Sequence, residues 1–318
     1  MMPSDLPHEL YRFVLEPLES MRLPTYKGST FRGVFGHSLR KVACALRDER
    51  CPTCLVRSTC TYQRVFETQV DRADGPKPGV NRAPHPYVLV PPLGEEREVG
   101  PGQELACTLL LMGPARGTLP YLVYTFHDVG RRGLTRERKP LALRRVEALG
   151  AQGWRTVYAE GWEALAEPAV EAPAPKVPNR ADGRVVVQFI TPVRLKRNGR
   201  LVRELSADDL LVALARRWGD LARYYGGGID PEPGVKAILG LRGRVRFGRC
   251  ELRWLDWTRY SNRQQSRMQL GGVVGRAEIE GDVAELVPWL GWAERFHLGK
   301  ATSFGLGRLG IEREDSDA

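Results

Sequence analysis

The chain has 318 residues, 42% of them hydrophobic, and a formal net charge of +10. That hydrophobic share is too high for a disordered chain, and the length suffices for two ordinary domains. No run of eighteen apolar residues occurs, so no transmembrane helix is expected. The cationic excess, mostly arginine, favours polyanionic partners. No basic amphipathic helix with an apolar edge stands out, so nucleic acid leads and a membrane surface does not. Met1-Met2-Pro3-Ser4-Asp5 lacks the regions of a signal peptide, and the expected location is the cytoplasm.

In chain order, residues 8–17 predict a strand, with Tyr11, Phe13 and Leu15 alternating with polar neighbours. Ser29 or Thr30 can cap a helix running to about Arg47. Its predicted inward face holds Phe31, Val34, Phe35, Ser38, Val42 and Ala45. His37 falls off that stripe, one turn from Gly33 and from Lys41, with Arg40 nearby. It therefore reads as a histidine on a cationic face, and Gly33 leaves room beside it for a ligand.

Four cysteines follow in seventeen residues, Cys44, Cys51, Cys54 and Cys60. The Cys51-Pro52-Thr53-Cys54 knuckle has the spacing of a tetrahedral zinc site, and four thiolates would close it, making it structural. An iron–sulfur cluster uses the same ligands and is the second reading. No thioredoxin-like pattern surrounds the pair, which weakens a redox reading. Cys107 and Cys250 sit in apolar strands and are expected in the core.

Residues 71–86 read as a loop. Strands are predicted at 87–90 and 105–111, a helix at 119–129 with Pro120 in its first turn, a basic loop at 131–139, and strands at 141–149 and 155–159. The order strand, helix, two strands, helix, strand is the ferredoxin-like βαββαβ plan. Residues 167–183, rich in Pro and Ala, read as a linker between an N-terminal domain (1–166, with a cysteine insertion at about 44–67) and a C-terminal domain (184–314), followed by an acidic tail at 315–318. The second domain predicts a strand at 184–190, a helix at 207–225 capped by Ser206 and Asp209, strands at 244–257 and 269–280, a helix at 282–296 and a strand at 306–312. This is the same plan again.

Between Arg242 and Arg276 there are nine arginines against two acids, Glu251 and Asp256. A merely solvated face mixes the signs more evenly. The connector within it carries Arg259, Tyr260, Arg263 and Arg267, side chains that fork to phosphates or stack on bases. Near the end of the sequence, Gly299-Lys300 through Gly310 places Gly299, Gly305, Gly307 and Gly310 with the cations Lys300 and Arg308. Such a loop is expected to expose consecutive N–H groups to an anion. It is not a P-loop, because Glu294 stands where the first glycine is required. Gly305-x-Gly307-x-x-Gly310 fits the dinucleotide spacing, but the eight residues after Gly310 leave no room for the helix and second strand that fingerprint needs.

This last stretch resembles the glycine-rich loop of the RAMP superfamily of CRISPR-associated proteins, and most closely the endoribonucleases that process precursor CRISPR RNA. Phe31-Arg32-Gly33-Val34-Phe35-Gly36-His37-Ser38-Leu39-Arg40, with the cysteines and Tyr62 to Phe66-Glu67 after it, resembles the same family. The resemblance implies an α+β chain of two tandem ferredoxin-like domains with a C-terminal glycine-rich loop. It implies cleavage of CRISPR repeat RNA in the precursor transcript without a catalytic metal or other cofactor, by 2′-hydroxyl attack that leaves a 2′,3′-cyclic phosphate. Residues carried over are His37 as general base or acid, Lys41 as its electrostatic partner and Tyr26 as an orienting group. RNA contacts fall to Arg40, Arg259, Tyr260, Arg263, Arg267, Gly299, Lys300, Gly305, Gly307 and Arg308. Histidine suits proton transfer because imidazole ordinarily titrates near neutrality. His297, beside the glycine loop, is the rival. The competing class is a non-catalytic RAMP subunit that holds a guide RNA in an interference complex. A metal-dependent nuclease is the weakest reading, because four thiolates leave no open position.

Overall fold

The structure, a computed structural model, describes residues 6–46, 51–70, 82–94, 96–135, 137–166, 171–175, 177, 183–256, 258–261 and 266–313. Of 258–261 and 266–269 it describes the backbone alone. The chain divides into two units, residues 7–173 and, with the first six residues, 174–318. The Pro/Ala-rich stretch is parted between them. In the first unit the Ala172 amide donates to the His8 carbonyl; in the second, Gly291 lies against Val177 and Pro175.

The first unit runs β1 (His8–Pro17), β2 (Met21–Arg22), α1 (Gly28–Ala43), β3 (Tyr87–Val90), β4 (Glu98–Val99), β5 (Leu105–Met112), α2 (Leu119–Arg132), β6 (Leu141–Gly150) and β7 (Gly153–Ala159). Its antiparallel sheet has the order β3-β5-β1-β6-β7. Without the added edge strand β7 this is the ferredoxin-like arrangement. Tyr11, Phe13 and Leu15 of β1 face the helices, where Phe13 stacks on Phe126 at 4.0 Å and Phe35 packs against Phe126. The opposite face is laced with ion pairs, Arg12 to Glu147 and Arg145 to Glu104 and Glu147 among them, and Arg12 lies over the Trp154 ring.

The second unit runs β8 (Arg184–Val193), β9 (Lys196–Arg197), β10 (Arg200–Leu201), α3 (Ala207–Tyr225), α4 (Glu232–Leu239), β11 (Val245–Leu255), β12 (Thr258–Ser261), β13 (Ser266–Gln269), β14 (Gly272–Gly281), α5 (Val283–Phe296) and β15 (Leu309–Ile311). Its antiparallel sheet, β11-β14-β8-β15, repeats the same order. The reciprocal Ser206–Asp209 capping box forms as the spacing predicts. The short α4 was not legible. Pro231 and Pro233 stand at its start, and Pro is tolerated in a helix's first turn. Gly234 is fixed by packing: a Cβ there would lie 2.3 Å from the Trp218 indole nitrogen. Cys250, expected in the core, is exposed on β11; Cys107 is buried as expected. No helix among the described residues is long and apolar enough to cross a membrane.

Candidate active site

Helix α1 begins at Gly28 behind Lys27, one or two residues before the anticipated caps, and no side chain caps it. Lys27 is buried, and its ammonium donates to the Gly94 carbonyl at 2.6 Å. The helix stops at Ala43, so Ala45 lies past its end and is exposed; Leu39 and Gly36 take the inward places instead. The two glycines of the motif do different jobs. A Cβ at Gly36 would lie 2.1 Å from the Phe66 ring, whereas one at Gly33 would meet nothing within 4 Å. Gly36 is a packing glycine and Gly33 faces open space.

His37 is exposed and makes no hydrogen bond or ion pair among the described residues. Gly33 and Lys41 flank it one turn away on the same helix face. Lys41 is anchored: its ammonium donates to Asp128 Oδ1 on α2 at 2.5 Å, while Arg132 Nε donates to Asp128 Oδ2 at 2.6 Å. Burial would raise the Asp128 carboxyl, but hydrogen bonds from Lys41 and Arg132 win and hold it below its usual value. Tyr26 is half-buried, and burial pushes its phenol far above the ordinary value. It therefore stays protonated. Arg40 is exposed, 6.0 Å over the Tyr62 ring.

The cysteines follow the end of α1. Cys44 caps the helix in extended geometry rather than lying on it. Cys51 opens a 3-10 turn, and all four thiols are free and half-buried. Burial raises the Cys51 thiol; Glu67, Cys44 and Cys60 add to the rise, and Arg40 opposes it. Among the described residues no three His, Cys, Asp or Glu side chains are placed to hold a metal ion. The four-thiolate site anticipated from the spacing is thus not shown by this geometry.

The glycine-rich loop folds onto β8 instead of standing open. Leu298 N donates to the Gly307 carbonyl, Lys300 N to Arg194, Gly307 N to Pro192, and Phe304 N and Leu306 N to Ala301. The Thr191 hydroxyl donates to the Gly305 carbonyl and accepts from the Arg308 amide. Most loop N–H groups are therefore spent inside the fold, against the expectation of a row exposed to an anion. Gly299, Gly305 and Gly307 all have positive φ. A Cβ at Gly307 would lie 1.8 Å from the Leu298 carbonyl oxygen, which only glycine avoids. Lys300 is exposed, whereas Arg308 is half-buried, its guanidinium lowered by burial and supported by Glu294.

His297 is 1% exposed. Its Nδ1 lies 3.1 Å from the Leu306 carbonyl, so Nδ1 carries the proton; Nε2 is buried with no partner among the described residues. Burial, with Arg308 and Arg217 nearby, pushes its pKa down to about 3. It is a neutral packing histidine, whereas His37 is the exposed one of the two. Of the connector, Arg263 lies outside the described residues, as do the side chains of Arg259, Tyr260 and Arg267; the backbone there forms the antiparallel β12–β13 hairpin. Asp128 was missed by the sequence reading, and Arg132, expected in a basic loop at 131–139, stands in the last turn of α2. The available signal was a lone acid on α2 four residues before Arg132, a spacing that joins them on one face.

Residues 187–309 match the family model of the CRISPR-associated endoribonuclease Cas6, and residues 6–170 match that of the AF_1859_N N-terminal domain. The second unit thus carries the match to the endoribonuclease Cas6, and the AF_1859_N model, which covers just over half of the chain, places the chain in that family by its N-terminal domain. It is therefore an endoribonuclease of the crRNA-processing type. Its α1 site and its loop lie one in each matched segment. An uncharacterized protein of Archaeoglobus fulgidus is 24% identical over 299 residues, 90% of this chain and 91% of that protein. A Thermus thermophilus Cas6 in a product complex shares the fold at TM-score 0.56 and 16% identity, covering 96% of this chain and 100% of that one. A partial Cas6-RT-Cas1–Cas2 complex contains the same fold at TM-score 0.59 and 12% identity, over 100% of this chain and 48% of that chain.

Proposed function

We propose that this protein cleaves CRISPR repeat RNA within the precursor transcript without a catalytic metal. The 2′-hydroxyl loses its proton and attacks the adjacent phosphorus; the bond from phosphorus to the 5′ oxygen breaks, and that oxygen takes up a proton. The products are a 2′,3′-cyclic phosphate and a 5′-hydroxyl. His37 carries one of the two proton transfers, Lys41 offsets the charge of the crowded phosphorane, and the protonated Tyr26 orients a reacting group. The observation that carries this reading is the exposed His37 between open space at Gly33 and the anchored cation Lys41. Arg40, Lys300, Arg308, the glycines Gly299, Gly305 and Gly307, and the connector residues Arg259, Tyr260, Arg263 and Arg267 serve RNA binding. Association with a larger CRISPR assembly belongs to the same proposal, supported by the fold shared with the Cas6-RT-Cas1–Cas2 complex. A structural zinc on Cys44, Cys51, Cys54 and Cys60 is a separate proposal, supported by the spacing of the four cysteines in the sequence. The zinc content of the purified protein tests it.

Cognate repeat RNA incubated with the protein in excess EDTA tests the reaction. Cleavage is expected, with a cyclic phosphate detected by mass, and none on an RNA carrying a single 2′-deoxy at the cut. Tight binding without cleavage, in EDTA or with Mg²⁺, would leave instead the guide-holding RAMP subunit.

A further inference from the structure

Asp128 has no assigned part in the reaction, yet it is the junction of the α1 face. Its side chain is 9% exposed and receives Lys41 of α1 and Arg132 of α2, one on each oxygen. The Ser38 hydroxyl, wholly buried and short of hydrogen-bond geometry to any described group, still lies close enough to help keep Asp128 charged. A buried carboxylate joined to two cations is well compensated; left with neither it would be strongly unfavourable. The direction of the helices shows what this junction places. β1 and β5 are antiparallel, and α1 follows β1 as α2 follows β5, so the two helices run in opposite senses. The turn of α1 before Lys41, which carries His37, therefore lies beside the turn of α2 after Asp128, which carries Arg132.

We infer that Asp128 is a positioning residue that fixes Lys41 and Arg132 on either side of His37, so that the phosphate meets a preset pair of cations. Free lysine and arginine side chains sample many rotamers, and two neighbouring cations repel. A shared buried anion removes both problems before RNA arrives. Preset charge stabilises a transition state more than charge that must be recruited during the reaction. Lys41 retains 53% and Arg132 45% side-chain exposure, so both can still face a phosphate while held. This inference rests on the proposed chemistry at His37.

The test is single-turnover cleavage of repeat RNA by Asp128→Asn, Lys41→Ala and the double variant, alongside His37→Ala, with RNA affinity and thermal unfolding measured for each. Asp128→Asn is expected to slow cleavage about 10–100-fold, the scale of a small misplacement of a reacting group. RNA affinity should change little, and Asp128→Glu should recover part of the rate. In the Lys41→Ala background Asp128→Asn should cost much less, because the aspartate acts mainly through the lysine. A folded Asp128→Asn that cleaves at the wild-type rate, or effects that simply multiply, would overturn the inference. If Asp128→Asn does not fold, Lys41→Ala and Arg132→Gln are combined instead; coupled effects support the bridge and independent ones overturn it. Normal cleavage by His37→Ala and Lys41→Ala would sink the proposed chemistry itself, whereas their loss beside a normal Asp128→Asn would sink only the inference.

Discussion

Two stretches of this chain carry a histidine, glycines and cations in close sequence, and the fold puts them to opposite uses. On α1, His37 stands exposed with open space at Gly33 and a tethered Lys41. Beside the glycine-rich loop, His297 is sealed under the Leu306 carbonyl, and the glycines are spent on close backbone contacts with Leu298 and Arg194. The loop residue that is open to solvent is Lys300, not the histidine. A histidine becomes available for proton transfer by what is absent around it. A glycine makes space only where nothing else fills it.

The largest expected contrast between the two is in pH. Folded His297 titrates near 3 against about 6.5 in an unfolded chain, so the unfolded state binds the extra proton between those values. Stability is therefore full above about pH 6.5 and declines as the pH falls towards 3, by on the order of 4 kcal/mol from this group. His297→Asn keeps a donor for Leu306 and should flatten that decline in urea titrations at pH 4 and pH 7. An unchanged slope would mean that His297 is not sealed.

Gly307→Ala comes next. The added methyl meets a backbone carbonyl at a position of φ +77°, and the expected cost is about 2–5 kcal/mol of stability. A mild effect would show that the loop stands open. The two α1 glycines sharpen the comparison on a smaller scale. Gly36→Ala should lose about 1–3 kcal/mol against the Phe66 ring, while Gly33→Ala should gain about 0.5–1 kcal/mol, as alanine does in an exposed helix. Thermal melts of the pair give the sign. The smallest effect belongs to Lys300→Ala, which should reduce the dependence of RNA affinity on salt by about one counterion.

Much of the fold was readable because local chemistry and tertiary packing agree. The Ser206–Asp209 box set the start of α3, and alternation at Tyr11, Phe13 and Leu15 set the inner face of β1. Where they conflict, the reading missed. The helix α4 was not anticipated, because what fixes it is the approach of Gly234 to Trp218, a contact made across sequence distance. The first helix was expected to reach about Arg47, but the backbone ends α1 at Ala43 and leaves Cys44 at its cap. His37 was legible as lying off the apolar stripe. The state of His297 was not, since its burial comes from the loop returning over it and from Arg217 and Arg308 converging nearby. Asp128 escaped notice because its partners Lys41 and Ser38 are some 90 positions away in sequence.

The most direct test of the account is single-turnover cleavage of repeat RNA in EDTA by His37→Ala and His297→Asn, with binding measured in parallel. The account predicts a loss of roughly 10²–10⁴-fold in rate for His37→Ala at near-wild-type affinity, the usual contribution of one acid–base group, and a rate close to wild type for folded His297→Asn. Full activity in His37→Ala, or a comparable loss confined to the folded His297 variant, would contradict it.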